Sequence, residues 1–184
     1  KFKARLVADG NTQKYLVDFD RVFSAVVKPA TIRLLLIIAA ALDLDLCQVD
    51  IKQAYLQSEL KEDLYMRVPP GLSPYDADGR PVCCKLRRAL YGCKQSGKLW
   101  ADEFAKFLVD YGFTRSTIDT CLFTLRSSDG FIILCAIYVD DAAIAHNSGK
   151  TYQAFLKSLS KRFPVDDRGT LQWLLGVSIT RDRG

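Results

Sequence analysis

From residue 131 to residue 146 the chain is apolar almost without a break, and the main exception is a pair of adjacent acids, Asp140 and Asp141. Such a run predicts strand buried on both faces. Together with the preceding "CLFTLRSSDG" it predicts a hairpin turning at 127–130, a strand to Val139, the acids at a bend, and a returning strand from Ala142. Elsewhere the period changes to that of helices. "PATIRLLLIIAAALDLD" predicts a helix over about 31–43, with Thr31 as its cap after Pro29. Trp100, Phe104, Phe107, Leu108 and Tyr111 recur at helical spacing before a stop at Gly112. Tyr152, Phe155, Leu156, Leu159 and Phe163 mark one face of a third helix.

Between these lie shorter signals. "LDLCQVD", 44–50, predicts a buried strand ending in Asp50. Residues 51–66 predict a short helix and then an extended piece, which Pro69, Pro70 and Gly71 break. "PVCCKLRRALYG" predicts a strand turning into a helix, residues 1–28 a short strand with a polar loop, and "TLQWLLGVSITRD" a closing strand pair. The sum is an α+β fold, with helices packed on a largely antiparallel sheet.

Composition narrows the picture only slightly. Apolar residues make up 49% of 184, which excludes a disordered chain. "LLLIIAAAL", 34–42, is about half of the ~20 residues that a membrane span needs, so no membrane association is expected. The six cysteines form no C-x-x-C pair and there is one histidine, which argues against zinc and for a reducing, intracellular setting. The net charge of +5 is unevenly spread. Six Lys/Arg and no acid lie between Arg80 and Lys98, and seven against three acids between Lys1 and Arg33. Such clusters are either solvated faces or contacts for phosphates.

The acids carry the chemistry. In a regular strand Asp140 and Asp141 would point to opposite faces, whereas in a tight turn they can converge. If the strand ending in Asp50 is their neighbour, three carboxylates meet at one sheet edge. That cluster needs a counter-charge, and a hard cation held by oxygens, Mg²⁺ by default, fits it. Two such ions would make a phosphoryl-transfer site. The competing reading is a turn-forming Asp pair without a ligand. Tyr55, five residues after Asp50, is either a core tyrosine or a ring beneath a nucleotide sugar. A phosphoacceptor domain also uses an Asp pair with Mg²⁺, but the regular β-α alternation of that fold is missing.

Motifs along nearly the whole chain resemble the reverse transcriptase domain of Ty1/copia-type LTR retrotransposons: "KARLVADGNTQ", "RVFSAVVKPATIRLLL", "QVDIKQAYLQSEL", "LYMRVPPG", "VCCKLRRALYGCKQSGKLW", "YVDD" and "WLLGVSI". The resemblance implies a right-hand polymerase reduced to fingers (about 1–43 and 67–95) and palm (about 44–66 and 96–184), with thumb and ribonuclease H outside this chain. It implies that Asp50, Asp140 and Asp141 are catalytic and, with the carbonyl of Ile51, hold two Mg²⁺ ions, for which Mn²⁺ could substitute. Lys3, Arg5, Tyr55, Tyr91 and Gly92 would contact the incoming dNTP. Lys94, Gln95, Tyr138, Leu175 and Gly176 would contact template and primer. The implied partners are an RNA template, a DNA primer, dNTP, and the rest of a polyprotein, with integrase upstream and ribonuclease H downstream. The implied setting is cytoplasmic particles and the nucleus.

Three stretches depart from the family pattern. Asp9-Gly10-Asn11 stands for Lys-Gly-Phe, Ser96-Gly97 for a small residue and Pro, and Val165-Asp166-Asp167-Arg168-Gly169 for Met-Lys-Asp-Leu-Gly. They leave the three aspartates in place. They also keep open a second reading, a degenerate remnant that binds nucleic acid without catalysis.

Overall fold

The computed structural model describes residues 4–183. Contacts divide the chain into two compact units, one built from residues up to Ser24 with Tyr55–Glu103, the other from Ala25–Ala54 with Phe104 onward.

The second unit is a mixed α/β layer structure around a six-stranded antiparallel sheet. Its strands are β1 (Asp45–Ile51), β4 (Thr114–Arg115), β5 (Leu122–Arg126), β6 (Ile132–Tyr138), β7 (Asp141–His146) and β8 (Val165–Thr170), in the order β4-β5-β6-β7-β1-β8. The predicted hairpin is present: β5 pairs with β6, and the Gly130 N–H donates to the Ser127 carbonyl at 3.2 Å. β6 and β7 occupy the centre and are buried at nearly every position, which explains why their sequences show no alternation.

Helices cover both faces. Helix α1 (Pro29–Ala41) places Leu35 and Ala39 in a cluster with Leu134 and Ala136 of β6 and Ala143 and Ala145 of β7. The opposite face meets α3 (Gly149–Arg162), where the His146 ring stacks on Tyr152 with centroids 4.6 Å apart. Phe104, Phe107 and Phe163 then close an aromatic cluster there, with edge-on contacts of 5.4 to 5.7 Å. The resemblance assigns α1 to the fingers, yet its buried side packs on this sheet.

Thr31 is not the cap of α1. Lys28 is, without a side-chain bond, and Pro29 fills the first turn, where a missing N–H costs nothing. The Thr31 hydroxyl instead donates to Asp119 at 2.5 Å. Asp119 also accepts from the N–H groups of Lys28 (2.9 Å) and Cys121 (3.0 Å), so one buried carboxylate ties the start of α1 to the approach to β5.

The first unit has less regular structure. Strands β2 (Glu59–Met66) and β3 (Cys84–Arg88) form a two-stranded ribbon, and α2 (Ser96–Tyr111) begins here. The expected strand within 1–28 is absent among the described residues: a 3-10 turn at Gly10–Thr12 and an isolated bridge between Tyr15 and Phe19 stand instead. The predicted helix after Ile51 is a single 3-10 turn, Ala54–Gln57. "ALYG" does not begin a helix, because Gly92 turns the chain with φ +94° and α2 starts at Ser96. In the second unit the chain ends in the expected strand pair, β9 (Trp173–Leu174) and β10 (Val177–Ser178). No described helix is long and apolar enough to cross a membrane.

Candidate active site

The ladder between β1, β7 and β8 determines which acids face one another. Asp141 is in register with Tyr138 of β6 on one side and with Asp50 of β1 on the other, and Asp50 is in register with Asp166 of β8. Residues opposite one another on antiparallel strands share a face, with Cβ atoms about 5 Å apart. Tyr138, Asp141, Asp50 and Asp166 therefore form one lateral row across four strands at the end of the sheet. Three of the four are acids.

Asp140 belongs to the turn that brings β7 back against β6. The loop has two residues, Val139 and Asp140, and Val139 has φ +57°. A positive φ at the first central position is the II′ pattern, which favours glycine. A β-branched residue there is strained by about 1–3 kcal/mol, and strain of this kind gathers at functional sites. The Ile51 N–H donates to the Asp140 carbonyl at 2.8 Å, fixing the turn to the end of β1. Ile51 itself is buried.

The electrostatics of the row are uneven. Burial pushes the Asp141 carboxyl up from its ordinary value, and the charges of Asp140 and Asp50 add to the rise. The Gln48 amide, donating to Asp141 at 3.1 Å, and the charge of Arg168 oppose it. The other end of the row has cations of its own. The Arg168 guanidinium lies 3.4 Å from Asp50 and 3.6 Å from Asp166, and the Lys52 ammonium is 3.9 Å from Asp166. Asp166 and Arg168 were visible in the sequence only as departures from a motif. Strand register, which that motif does not reveal, is what places them beside Asp50.

This donor set suits a hard divalent cation, since carboxylate oxygens are the ligands that such an ion takes. Among the described residues, however, no three His, Cys, Asp or Glu side chains converge tightly enough to hold a metal ion as they stand.

The residues expected to contact nucleotide form a stack in the first unit. The Arg5 guanidinium lies over the Tyr91 ring at 4.2 Å from its centroid, and the Tyr91 and Tyr55 rings are 4.7 Å apart. The backbone of residues 7–10 runs against Tyr91 and Gly92, with the Ala8 N–H donating to the Tyr91 carbonyl at 2.7 Å. A Cβ on Gly92 would lie 2.0 Å from the Ala8 carbonyl oxygen, and one on Gly10 would lie 1.9 Å from that of Gly92. Lys3 lies outside the described residues.

Among the expected template and primer contacts, Gln95 is buried. Its amide accepts from Gln13 at 3.0 Å and donates to the Asp18 carbonyl at 2.8 Å. Lys94 is exposed, and its ammonium lies 5.0 Å from the centre of the Phe19 ring. Leu175 and Gly176, with φ +49° and +81°, make the tight turn between β9 and β10, a hairpin that exposes Trp173 and Val177. Of the departures, Asp9 caps the 3-10 turn through Asn11, and the Gly97 carbonyl accepts from the Ser24 hydroxyl at 3.0 Å. The basic stretch 80–98 is partly neutralised, because Arg80, Lys85 and Lys98 pair with Asp78, Asp63 and Asp102.

Acids thus stand in register at the end of a central antiparallel hairpin, and sequence comparison shows the family. The family described as "Reverse transcriptase (RNA-dependent DNA polymerase)" matches residues 1–184, and the chain belongs to it. More narrowly, it is a reverse transcriptase domain of the Ty1/copia type. It is 38% identical over 183 residues to the retrovirus-related Pol polyprotein from transposon TNT 1-94 of Nicotiana tabacum, covering 100% of this chain and 14% of that protein. It is 39% identical over 181 residues to the corresponding polyprotein from transposon RE1 of Arabidopsis thaliana, covering 98% of this chain and 12% of that protein. A transposon Ty5-1 protein of Saccharomyces cerevisiae is 31% identical over 131 residues, 71% of this chain and 42% of that protein. No solved structure matches the chain.

Proposed function

We propose that this chain is the part of a retrotransposon polyprotein that carries out RNA-templated DNA synthesis, adding a deoxynucleotide to a primer 3′-hydroxyl with release of pyrophosphate. The observation that carries the proposal is the register of Asp141 against Asp50, with Asp140 in the adjoining strained turn. Asp50, Asp140, Asp141 and the Ile51 carbonyl would hold two Mg²⁺ ions, or Mn²⁺ in their place. Those ions would lower the pKa of the attacking hydroxyl and neutralise the charge that develops on the phosphoryl group. The protein's own task is to keep the carboxylates fixed and unprotonated at neutral pH. Gln48 serves this by donating to Asp141, since a hydrogen bond to a carboxylate favours its charged form.

The unit with the six-stranded sheet would act as palm, and the other would supply finger residues. The stack of Arg5, Tyr91 and Tyr55 offers a cation and two rings to a triphosphate, a base and a sugar. Lys94, Tyr138 and the hairpin at Leu175 and Gly176 would face template and primer. Gln95, with its amide bonded inside the protein, would contribute by shaping the loop beside Lys94. The remaining polyprotein domains, including integrase and ribonuclease H, would act beside this chain in cytoplasmic particles and the nucleus.

The test is primer extension on an RNA template with Mg²⁺ and deoxynucleotides, beside an Asp141→Asn control. Extension that the control abolishes supports the proposal. A second reading, a remnant that binds nucleic acid without catalysis, draws on the presence of Asp166 and Arg168 in the row. Salt-sensitive template binding by a folded chain that extends no primer would favour it over the first.

A further inference from the structure

The acidic row is compensated asymmetrically, and this bears on how a cation reaches it. Among the described residues, Asp166 has two cationic neighbours, Lys52 at 3.9 Å and Arg168 at 3.6 Å. Asp50 has one, Arg168 at 3.4 Å. Asp141 has the neutral Gln48 amide as its closest polar partner, with the charge of Arg168 felt more weakly than those of the two neighbouring acids. The cationic compensation therefore falls along the row from β8 toward β7.

We propose that Arg168 is a resident counter-ion of the active site, which a divalent cation must displace from Asp50 in order to load. The inference rests on the reading of Asp50, Asp140 and Asp141 as the metal ligands. The geometry suits exchange. Arg168 is half-exposed, so its guanidinium can leave Asp50 without crossing the core. It lies two residues from Asp166 on one strand, so it retains that carboxylate as a partner after leaving. Asp166, held from its other side by Lys52, is then the parking position for the guanidinium. A first cation enters on the Asp141 and Asp140 side, where among the described residues no side-chain cation forms an ion pair with the carboxylates. Arg168 thereby sets the affinity of the site for its metal and offsets part of the row's negative charge while the site is empty.

The experiment is Mn²⁺ binding by the whole chain, followed through the EPR signal of free Mn²⁺, with no nucleotide or primer present. Arg168→Gln removes the competing charge and keeps a polar side chain of similar reach. The variant is expected to bind Mn²⁺ roughly tenfold more tightly than the parent chain, the size of effect that removing a nearby like charge has close to a protein surface. Arg168→Lys, which keeps the charge but loses the two-pronged head, is expected to fall between them. It also serves as the test if Arg168→Gln does not fold. Equal or weaker binding by Arg168→Gln, with Asp141→Asn binding more weakly than the parent, would overturn the role of Arg168 and leave the metal site standing. If Asp50→Asn and Asp141→Asn both bind Mn²⁺ like the parent, the metal site itself fails and this inference falls with it.

Discussion

The two units are held together by different means. In the unit with the six-stranded sheet, apolar side chains fill both faces, and the acids lie at the edge of a core that would exist without them. In the other unit, shape depends on backbone contacts: Gly10 and Gly92 in close approach, Ala8 bonded to Tyr91, and buried Gln95 bonding Gln13 and Asp18. The first arrangement tolerates change wherever volume and polarity are preserved. The second fails when a single atom is added in the wrong place, although fewer large side chains are involved.

The sharpest prediction follows from this contrast. Gly92→Ala combines a φ of +94° with a Cβ at 2.0 Å from a carbonyl oxygen, and should destabilise its unit by about 3 kcal/mol or more. Hydrogen exchange on the whole chain should show residues 4–24 losing protection while β6 and β7 keep theirs. Equal loss in both would show that the two units do not open independently.

Asp119→Ala tests the sheet unit at its most demanding polar position, and should cost about 2–4 kcal/mol by leaving donors from Lys28, Thr31 and Cys121 without their acceptor. Urea unfolding measures it. Burial alone would raise the Asp119 carboxyl, but the bonds from Thr31, Lys28 and Cys121 prevail and hold it below its ordinary value. Its contribution is therefore present above the unfolded value, near pH 4, and is lost as the pH falls through the folded value. Stability of the parent chain should fall on acidification in that range, and that of Asp119→Ala should fall less.

Asp141→Asn should move in the other direction and by less, raising metal-free stability by about 1 kcal/mol through removal of one of several like charges. The sign is that of a raised acid. The folded state holds the proton more tightly, so stability declines as the pH rises from the unfolded value through the folded one. Thermal melts from pH 4 upward should show this slope in the parent and less of it in the variant. A destabilised Asp141→Asn would mean that its bond to Gln48 outweighs the repulsion.

The smallest effect concerns cysteine reactivity. Cys135 lies wholly inside the sheet, and burial pushes its thiol up to about 12, whereas Cys83 is exposed. Alkylation of the native chain, read by mass spectrometry, should modify Cys83 first and Cys135 last, and only after unfolding.

What could be read from sequence follows the same division. The hairpin through Asp140 and Asp141 was evident because a long apolar run leaves little choice of location, and the strand ending at Asp50 showed as a short stretch with few helix signals. Helices α2 and α3 were evident from their period, and α1 from an apolar run bounded by Arg33 and Asp43. The N-terminal stretch looked like strand because basic and apolar residues alternate through Lys3, Arg5, Leu6 and Val7, but its backbone is bonded to Tyr91, some 80 positions away, and no local pattern announces that. Thr31 looked like a cap for the same reason, since its partner Asp119 is 88 positions distant. Asp50, Asp140 and Asp141 could be named as candidates from sequence but their register could not be read, so Asp166 and Arg168 emerged as part of the row only from the pairing of β8 with β1.

That pairing has a consequence for inheritance. Asp50 and Asp141 are separated by 91 positions and meet only because six consecutive pairs between β1 and β7 stay in step. A single inserted or deleted residue within either strand would shift the count by one and turn one aspartate to the opposite face. The ladder thus works as a checksum on length: an insertion or deletion in β1 or β7 loses the pairing and the meeting of the acids together. Residues that differ without changing the count, such as Asp166 and Arg168 where the sequence departs from the family pattern, pass that check.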